Sequence, residues 1–463
     1  MKIKRDRKMG KVLSENFFGT ERIGKILFKI APPVMLAQLI QAFYNIADSF
    51  FVGKYSADAL TAVSVIFPLQ LIIIALAVGT GVGVNTYMAR KYAENDSAAA
   101  NYTAGTGMLL AILSWAAFAV ISALLMTPYV KTSASEPEAI RQAVIYGNIV
   151  CIGSIGTFLE GCWTKVHQAR GGMLRPMLAQ IAGAVVNVVF DPLLIFGIGP
   201  FPELGIAGAA YATVFGQCIS AVITFPGAFC APPKLSQIRK YICNIYFYGY
   251  SSIFMQSLYT VYIAGLNIIL AGFSDAAVTV LGLYYKMQSF FFIPINGLET
   301  CIIPVLSFNY TRGCYSRCRE TMKYSFLIAL AFMALGTLCF VFIPVPMIRL
   351  FSSSAQVIEI GKIAFPIIGA SFMPAVFSLI MPVFFQAIGN GLVSSLLSLV
   401  RQVVCLLPIF WLLSKIGLNC TWMSFPISET LTDIACLTLY FREIRKWKKI
   451  RSSDIPEKEP CRN

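Results

Sequence analysis

Ser56-Ala57-Asp58-Ala59-Leu60-Thr61 returns further along the chain as Ser274-Asp275-Ala276-Ala277-Val278-Thr279, an offset of 218 positions, and each copy opens a long apolar run. The first run extends from Leu60 to Met88 and the second from Val278 to Leu306. The same offset sets Gln38 on Gln256, Gln70 on Gln288 and Tyr92 on Tyr310. It also sets Gln168, Ala169 and Gly171 on Gln386, Ala387 and Gly389. A register held over more than 130 residues without a net insertion reads as a duplication.

Outward from these two runs, apolar stretches long enough to cross a hydrocarbon layer as a helix recur along most of the chain. Twelve are readable, from Ile26 to Val52 at the start to Leu418 to Phe441 at the end. The fourth covers Ala143 to Thr164 and the tenth Ile360 to Phe385. With 57% hydrophobic and 13% charged residues, the chain has more apolar side chains than one water-bounded core can hide. Barrel strands would be about ten residues long and alternating, whereas these runs are long and apolar on every face. The expected fold is therefore an all-α polytopic membrane protein. Six spans per half is an even number, so both halves insert in the same sense, as two six-helix lobes related by a pseudo-twofold axis along the membrane normal. The expected divisions are an N-terminal segment over 1–25, an N-lobe over 26–229 and a linker over 230–244 holding Pro232, Pro233 and Lys234. A C-lobe over 245–441 and a basic tail over 442–463 complete the chain.

Basic residues resist translocation and so report orientation. Of the 37 Lys and Arg residues, 28 fall on the side of the two termini and six on the other. Both termini are thus expected in the cytoplasm, in an inner (cell) membrane protein without a removable signal peptide. The net charge of +15 then reflects topology and attraction to anionic membrane lipid. It gives no support to nucleic-acid binding, because the basic residues are scattered over short loops.

The thirteen Cys residues are mostly isolated within spans, and Cys314 and Cys318 have neither a second pair nor an acidic cluster to complete a metal site. Gly79, Gly81 and Gly83 resemble a phosphate loop only in glycine content. No Lys-Ser or Lys-Thr follows, and close helix packing accounts for them better. Without a nucleotide engine, a His-based constellation or a need for a cofactor, the sequence points away from an enzyme and toward a secondary transporter driven by an ion gradient.

Two acids break the symmetry of the halves. Asp48, late in the first span, falls on Leu266, and Asp191, in the fifth, falls on Ile409. A carboxylate in a bilayer is costly unless paired, hydrated or protonated, which makes each a functional candidate. Asn187 stands four residues before Asp191, on the same helix face. Pro192 removes a backbone donor and frees a carbonyl at that level. Asp48, Asn187 and Asp191 would make an oxygen-rich pocket suited to H⁺ or Na⁺; beyond such a Na⁺, no metal is expected. Glu160, near the cytoplasmic end of its span, together with Tyr44, Met255, Gln256, Tyr284 and Lys286, is a candidate for the wall of a substrate cavity, where aromatic faces would hold flat cations. Glu429 and Asp433 are spaced to share a helix face.

Several motifs together resemble the multidrug and toxic compound extrusion (MATE) transporters over roughly residues 20–445. They are Asp48-Ser49-Phe50-Phe51-Val52-Gly53, Gln168-Ala169-Arg170-Gly171-Gly172-Met173-Leu174-Arg175-Pro176, Asn187 to Gly197, and Gly205-Ile206-Ala207-Gly208-Ala209-Ala210-Tyr211-Ala212-Thr213. The resemblance implies a V-shaped pair of lobes, a cation site at Asp48, Asn187 and Asp191 joined by Thr213, and antiport of cationic, amphipathic small molecules against H⁺ or Na⁺ by alternating access. Some members carry coupling acids in the seventh and tenth spans. Here those positions offer Met255 and Gln256 and no acid between Ile360 and Phe385, which places coupling in the N-lobe. The alternative is a flippase of lipid-linked oligosaccharide or another lipid-like substrate. It would call for several cavity arginines, and only Lys29, Lys286 and Arg401 lie within spans. The expected working unit is a monomer.

Overall fold

The computed structural model describes residues 17–133, 136–351 and 354–452. Most of the expected N-terminal segment and the end of the basic tail lie outside these residues. All regular structure among them is helical. In chain order the helices are α1 (Ile23–Tyr55), α2 (Ala57–Ala93), α3 (Ser97–Ser133), α4 (Pro137–Gly153), α5 (Ile155–Ala169), α6 (Leu174–Ile195) and α7 (Ile206–Ala228). The series continues with α8 (Leu235–Ala271), α9 (Asp275–Thr311), α10 (Tyr315–Phe342), α11 (Pro344–Arg349), α12 (Ala355–Gly369) and α13 (Phe372–Ala387). Then come α14 (Gly391–Leu399), a π-helical segment (Val400–Leu406), α15 (Leu407–Ser414), α16 (Leu418–Thr421) and α17 (Ser424–Ser452).

The duplication is visible in the element ends. Shifting α2 by the 218-residue offset reproduces the limits of α9. Both helices start the same way: Ser56 Oγ accepts from the Ala59 amide at 2.9 Å, and Ser274 Oγ accepts from the Ala277 amide at 3.1 Å. Each cap satisfies an amide that the first turn leaves without a helical partner. The turns recur too. Asn95 and Gly313 occupy equivalent left-handed positions (φ 58° and 76°), as do Gly171 and Gly389 (77° and 89°). Only Gly, and Asn among the others, adopts that conformation readily.

Among the described residues, ten helical stretches are long and apolar enough to span a membrane, α4 with α5 and α14 through α15 each counted as one, and α12 with α13, bent by 55°, makes an eleventh. The twelfth expected span corresponds to α17. At 29 residues it is long enough, but Glu429, Asp433 and a charged C-terminal half lower its hydropathy. The fourth span is divided at Ser154 and the tenth at Ala370 and Ser371, one to two residues before the position matching Ser154. Large apolar side chains stand exposed along the helices, with Leu124 at 73%, Ile268 at 75% and Phe342 at 75%. Such surfaces require a lipid solvent.

The chain forms two compact units. One comprises Phe17 with Lys29–Ile253, and the other Phe18–Phe28 with Phe254 onward. In the first, α6 packs most extensively on α7, and α5 lies against α2, α3 and α7. Its core holds Ile66, Met126, Tyr146, Val150, Phe158 and Ile206. In the second, α9, α10, α12 and α13 surround an aromatic core in which Phe340 contacts Phe365 and Phe372 at centroid distances of 5.0 and 4.9 Å. The short segment before α1 is held within this unit. Arg317, 2% exposed, donates to the Phe18 and Glu21 carbonyls at 2.9 and 2.6 Å, and Asn309 Nδ2 donates to Phe18 at 3.1 Å.

Candidate functional site

The first unit gathers Asp48, Asn187, Asp191 and Thr213 at one place. A close helix crossing makes this possible. At Gly183 on α6 and Gly216 on α7 the backbones touch, and any Cβ there would strike the facing helix. The contact sets Asn187, one turn beyond Gly183, against Thr213, nearly one turn before Gly216. The amide orientation of Asn187 follows from its neighbours. Its Nδ2 donates to Asp191 Oδ2 at 3.1 Å, and its Oδ1 accepts from the Thr213 hydroxyl and amide, both at 3.2 Å. Asp191 is fully buried and Asn187 and Thr213 nearly so.

Asp48 approaches from α1, and its carboxyl group and that of Asp191 face each other within hydrogen-bonding reach. One Asp48 oxygen is buried and has no donor. Two carboxyl groups so close cannot both remain bare anions away from water; a proton or a cation must lie between them. The phenols of Tyr44 and Tyr146 stand in the field of both acids, and Tyr146 Oη accepts from Gln70 Nε2 at 3.3 Å.

A cavity of about 130 Å³ adjoins this group, lined by Gln41, Tyr44, Glu160, Gln180, Asn187 and Thr213 among others. It would hold an ion and a few waters; pockets for drug-sized ligands measure about 300 to 1,000 Å³. Glu160 sits on its wall, accepting from Thr164 Oγ1 at 2.6 Å and Gln180 Nε2 at 3.4 Å. Among the described residues no three His, Cys, Asp or Glu side chains stand together as a metal-holding group. The oxygens gathered here are two carboxyl groups, hard ligands of the kind Na⁺ takes, together with the Asn187 amide oxygen and the Thr213 hydroxyl, which are engaged with each other.

The other expected cavity residues lie in the second unit. Met255 Sδ accepts from Ser394 Oγ at 3.7 Å, while Gln256 and Lys286 are exposed. Tyr284 is built into the aromatic core, against Tyr285, Phe340 and Phe425.

The Gln168 to Pro176 motif has a structural role that its sequence did not reveal. Helix α7 breaks at Pro226 and Gly227, where φ of Gly227 is 87°, and the carbonyls at the break need donors. His167 Nε2, as the protonated nitrogen, donates to Thr224 O at 2.9 Å, Arg175 donates to Pro226 O, and Arg170 donates to Gly227 O. Arg170 also reaches Tyr92 Oη and Asn101 Oδ1, each at 3.0 Å.

Sequence reasoning also missed a partner for Glu429. Arg401 donates to both of its oxygens, at 2.8 to 3.0 Å, across 28 residues. The π-helical turn carrying Arg401 was the only local signal, and it is not readable without the backbone.

A duplicated, all-helical membrane chain with a buried acid pair beside a small polar cavity defines a secondary transporter rather than an enzyme. The MatE family model matches residues 33–193 and again 251–412, with the starts displaced by the offset that relates the halves and the ends by one residue more. The chain belongs to this family of multidrug and toxic compound extrusion transporters. It is 25% identical over 425 residues to a FAD transporter of Shewanella oneidensis, covering 90% of this chain and 94% of that one. It is also 25% identical over 459 residues to a probable multidrug resistance protein NorM of Thermotoga maritima, covering 94% and 96%. Among solved structures, an outward-facing multidrug resistance MATE transporter superposes with a TM-score of 0.86 at 22% identity, covering 93% of this chain and 98% of that one. A Pyrococcus furiosus transporter of the MOP superfamily also superposes with a TM-score of 0.86, at 23% identity, covering 94% and 98%.

Proposed function

We propose that this protein is an antiporter that exports amphipathic, aromatic small molecules, organic cations among them, in exchange for H⁺ or Na⁺. The observation that carries this reading is the pairing of half-buried Asp48 with fully buried Asp191, joined through Asn187 to Thr213. Entry of a proton or Na⁺ neutralises the pair, and its departure leaves two facing charges whose repulsion favours a different helix arrangement. Substrate affinity is coupled to that exchange through the free-energy difference between the two arrangements. In this reading the protein works in the cell membrane as a monomer, with both termini cytoplasmic.

A second reading keeps the mechanism and changes the cargo. The resemblance to a FAD transporter favours a flavin nucleotide, an anionic molecule with flat rings. Proteoliposomes loaded with ethidium or with FAD, under an imposed pH or Na⁺ gradient, separate the possibilities. Gradient-driven export of one cargo, abolished by Asp191→Asn, names both substrate and ion. Equal export by Asp191→Asn reduces the acid pair to a packing role, and a well-folded protein that moves neither cargo removes both readings.

A further inference from the structure

We propose that Asp433 is a second exchangeable proton site, built into the C-terminal half and linked to the Arg401 and Glu429 ion pair. Nothing in the duplication supplies it, since Asp433 stands where the first half has Phe215, Glu429 where it has Tyr211 and Arg401 where it has Gly183.

The charges around this point do not balance. Arg401 is committed to Glu429, with both side chains largely buried at 17% and 10% exposure, and Ser378 Oγ donates to the same carboxylate. Asp433, one turn further along α17, is 8% exposed, and its Oδ1 is buried with no hydrogen-bond donor. Glu429, Arg401 and Cys436 act on it electrostatically, and the Ser378 backbone amide lies within reach. Glu299 on α9 feels Arg401 as well, so this single cation faces more than one acid. Of the helices packed on α17, α13, α14 and α15 carry no ionisable side chain, and the Glu359 and Lys362 of α12 are exposed. Arg401 thus answers one carboxylate, and a second buried carboxylate has no cation of its own. A buried acid in that position is held neutral by a proton.

The surroundings allow that proton to matter. Arg401 rides on the π-helical turn Val400–Leu406, a local irregularity of the kind found at functional sites. Loss of the proton from Asp433 places a new negative charge beside Glu429 and sets the two in competition for Arg401. The guanidinium then turns from a bidentate grip on one carboxylate toward a position between two. The charge state of Asp433 in this way biases where α17 sits against the π-helical turn. This inference stands independently of the substrate and of the N-terminal acid pair.

The test uses the full-length protein in lipid vesicles and infrared difference spectra between acidic and alkaline buffer, with no transport involved. The wild type should show a carboxylic-acid carbonyl band at acidic pH. Asp433→Asn should remove one component of it, and Asp433→Glu should keep that component at a shifted frequency. Asp191→Asn should remove a different component. A spectrum of Asp433→Asn that superimposes on the wild type overturns the proposal. Should Asp433→Asn fail to fold, Asp433→Glu decides alone, because an unshifted band means that residue 433 does not hold the proton.

Discussion

A Cβ placed on Gly216 would stand 2.6 Å from the carbonyl oxygen of Gly183, closer than any side chain is tolerated. The contact is backbone to backbone and cannot yield by a rotamer change, so Gly216→Ala must push α6 and α7 apart. Alanine's better helix propensity offsets about 1 kcal/mol, against an overpacking cost of about 1 to 3 kcal/mol. The variant should unfold slightly below the wild type in a thermal assay and should couple poorly, because the same displacement draws Asn187 from Thr213. Wild-type stability and coupling together would show that the crossing is loose.

Thr213→Val keeps the shape of the side chain and removes the hydroxyl that donates to Asn187. A lost hydrogen bond of this kind is worth about 1 kcal/mol. The concentration of driving ion for half-maximal transport should rise roughly fivefold, the factor that energy corresponds to, while maximal transport survives. A null variant would assign the hydroxyl a more direct part in binding the ion.

Arg170→Lys tests the clamp on the α7 break. Lysine keeps the charge but cannot reach Gly227, Tyr92 and Asn101 at once, since its ammonium lacks the planar fork. A loss of about 1 to 3 kcal/mol is expected from the orphaned carbonyl, read as a lower unfolding temperature. The same loss in Arg170→Ala would confirm that geometry, not charge, is what matters there.

Arg401→Leu leaves Glu429 buried and unpaired, which should cost about 3 to 5 kcal/mol. The double variant Arg401→Leu with Glu429→Leu should recover most of this in thermal unfolding. A double variant as unstable as the single would mean that Ser378 and its neighbours need the carboxylate for themselves.

The sequence was most legible where the physics is local. Hydrocarbon thickness fixes run length, so the spans could be counted, and serine caps and glycine turns recur because each helix end must satisfy its own amides. The cost of charge in lipid singled out Asp48 and Asp191. What stayed hidden depended on contacts across the fold. The divisions at Ser154 and at Ala370 and Ser371 interrupt largely apolar runs with no charge at the break to mark them. Arg401 and Glu429 are 28 residues apart on different elements, so each looked like an isolated charge. Helix α17 read as an apolar span ending at Phe441, whereas it continues to Ser452 through a charged stretch that an apolar window cannot follow.

The carbonyl of Phe18 waits for the guanidinium of Arg317, 299 residues later in the chain. At a synthesis rate of about 5 to 20 residues per second, that is an interval of roughly 15 to 60 s. The stretch made almost first is therefore among the last to reach its final seat, and until the second half emerges the Phe18 and Glu21 carbonyls lack the Arg317 donor. A nascent chain truncated anywhere before Asn309 lacks the Asn309 and Arg317 donors to this segment. The ribosome thus delivers a first half that can assemble its core while one end stays unmoored, and the seating of that end reports that the other half has been made.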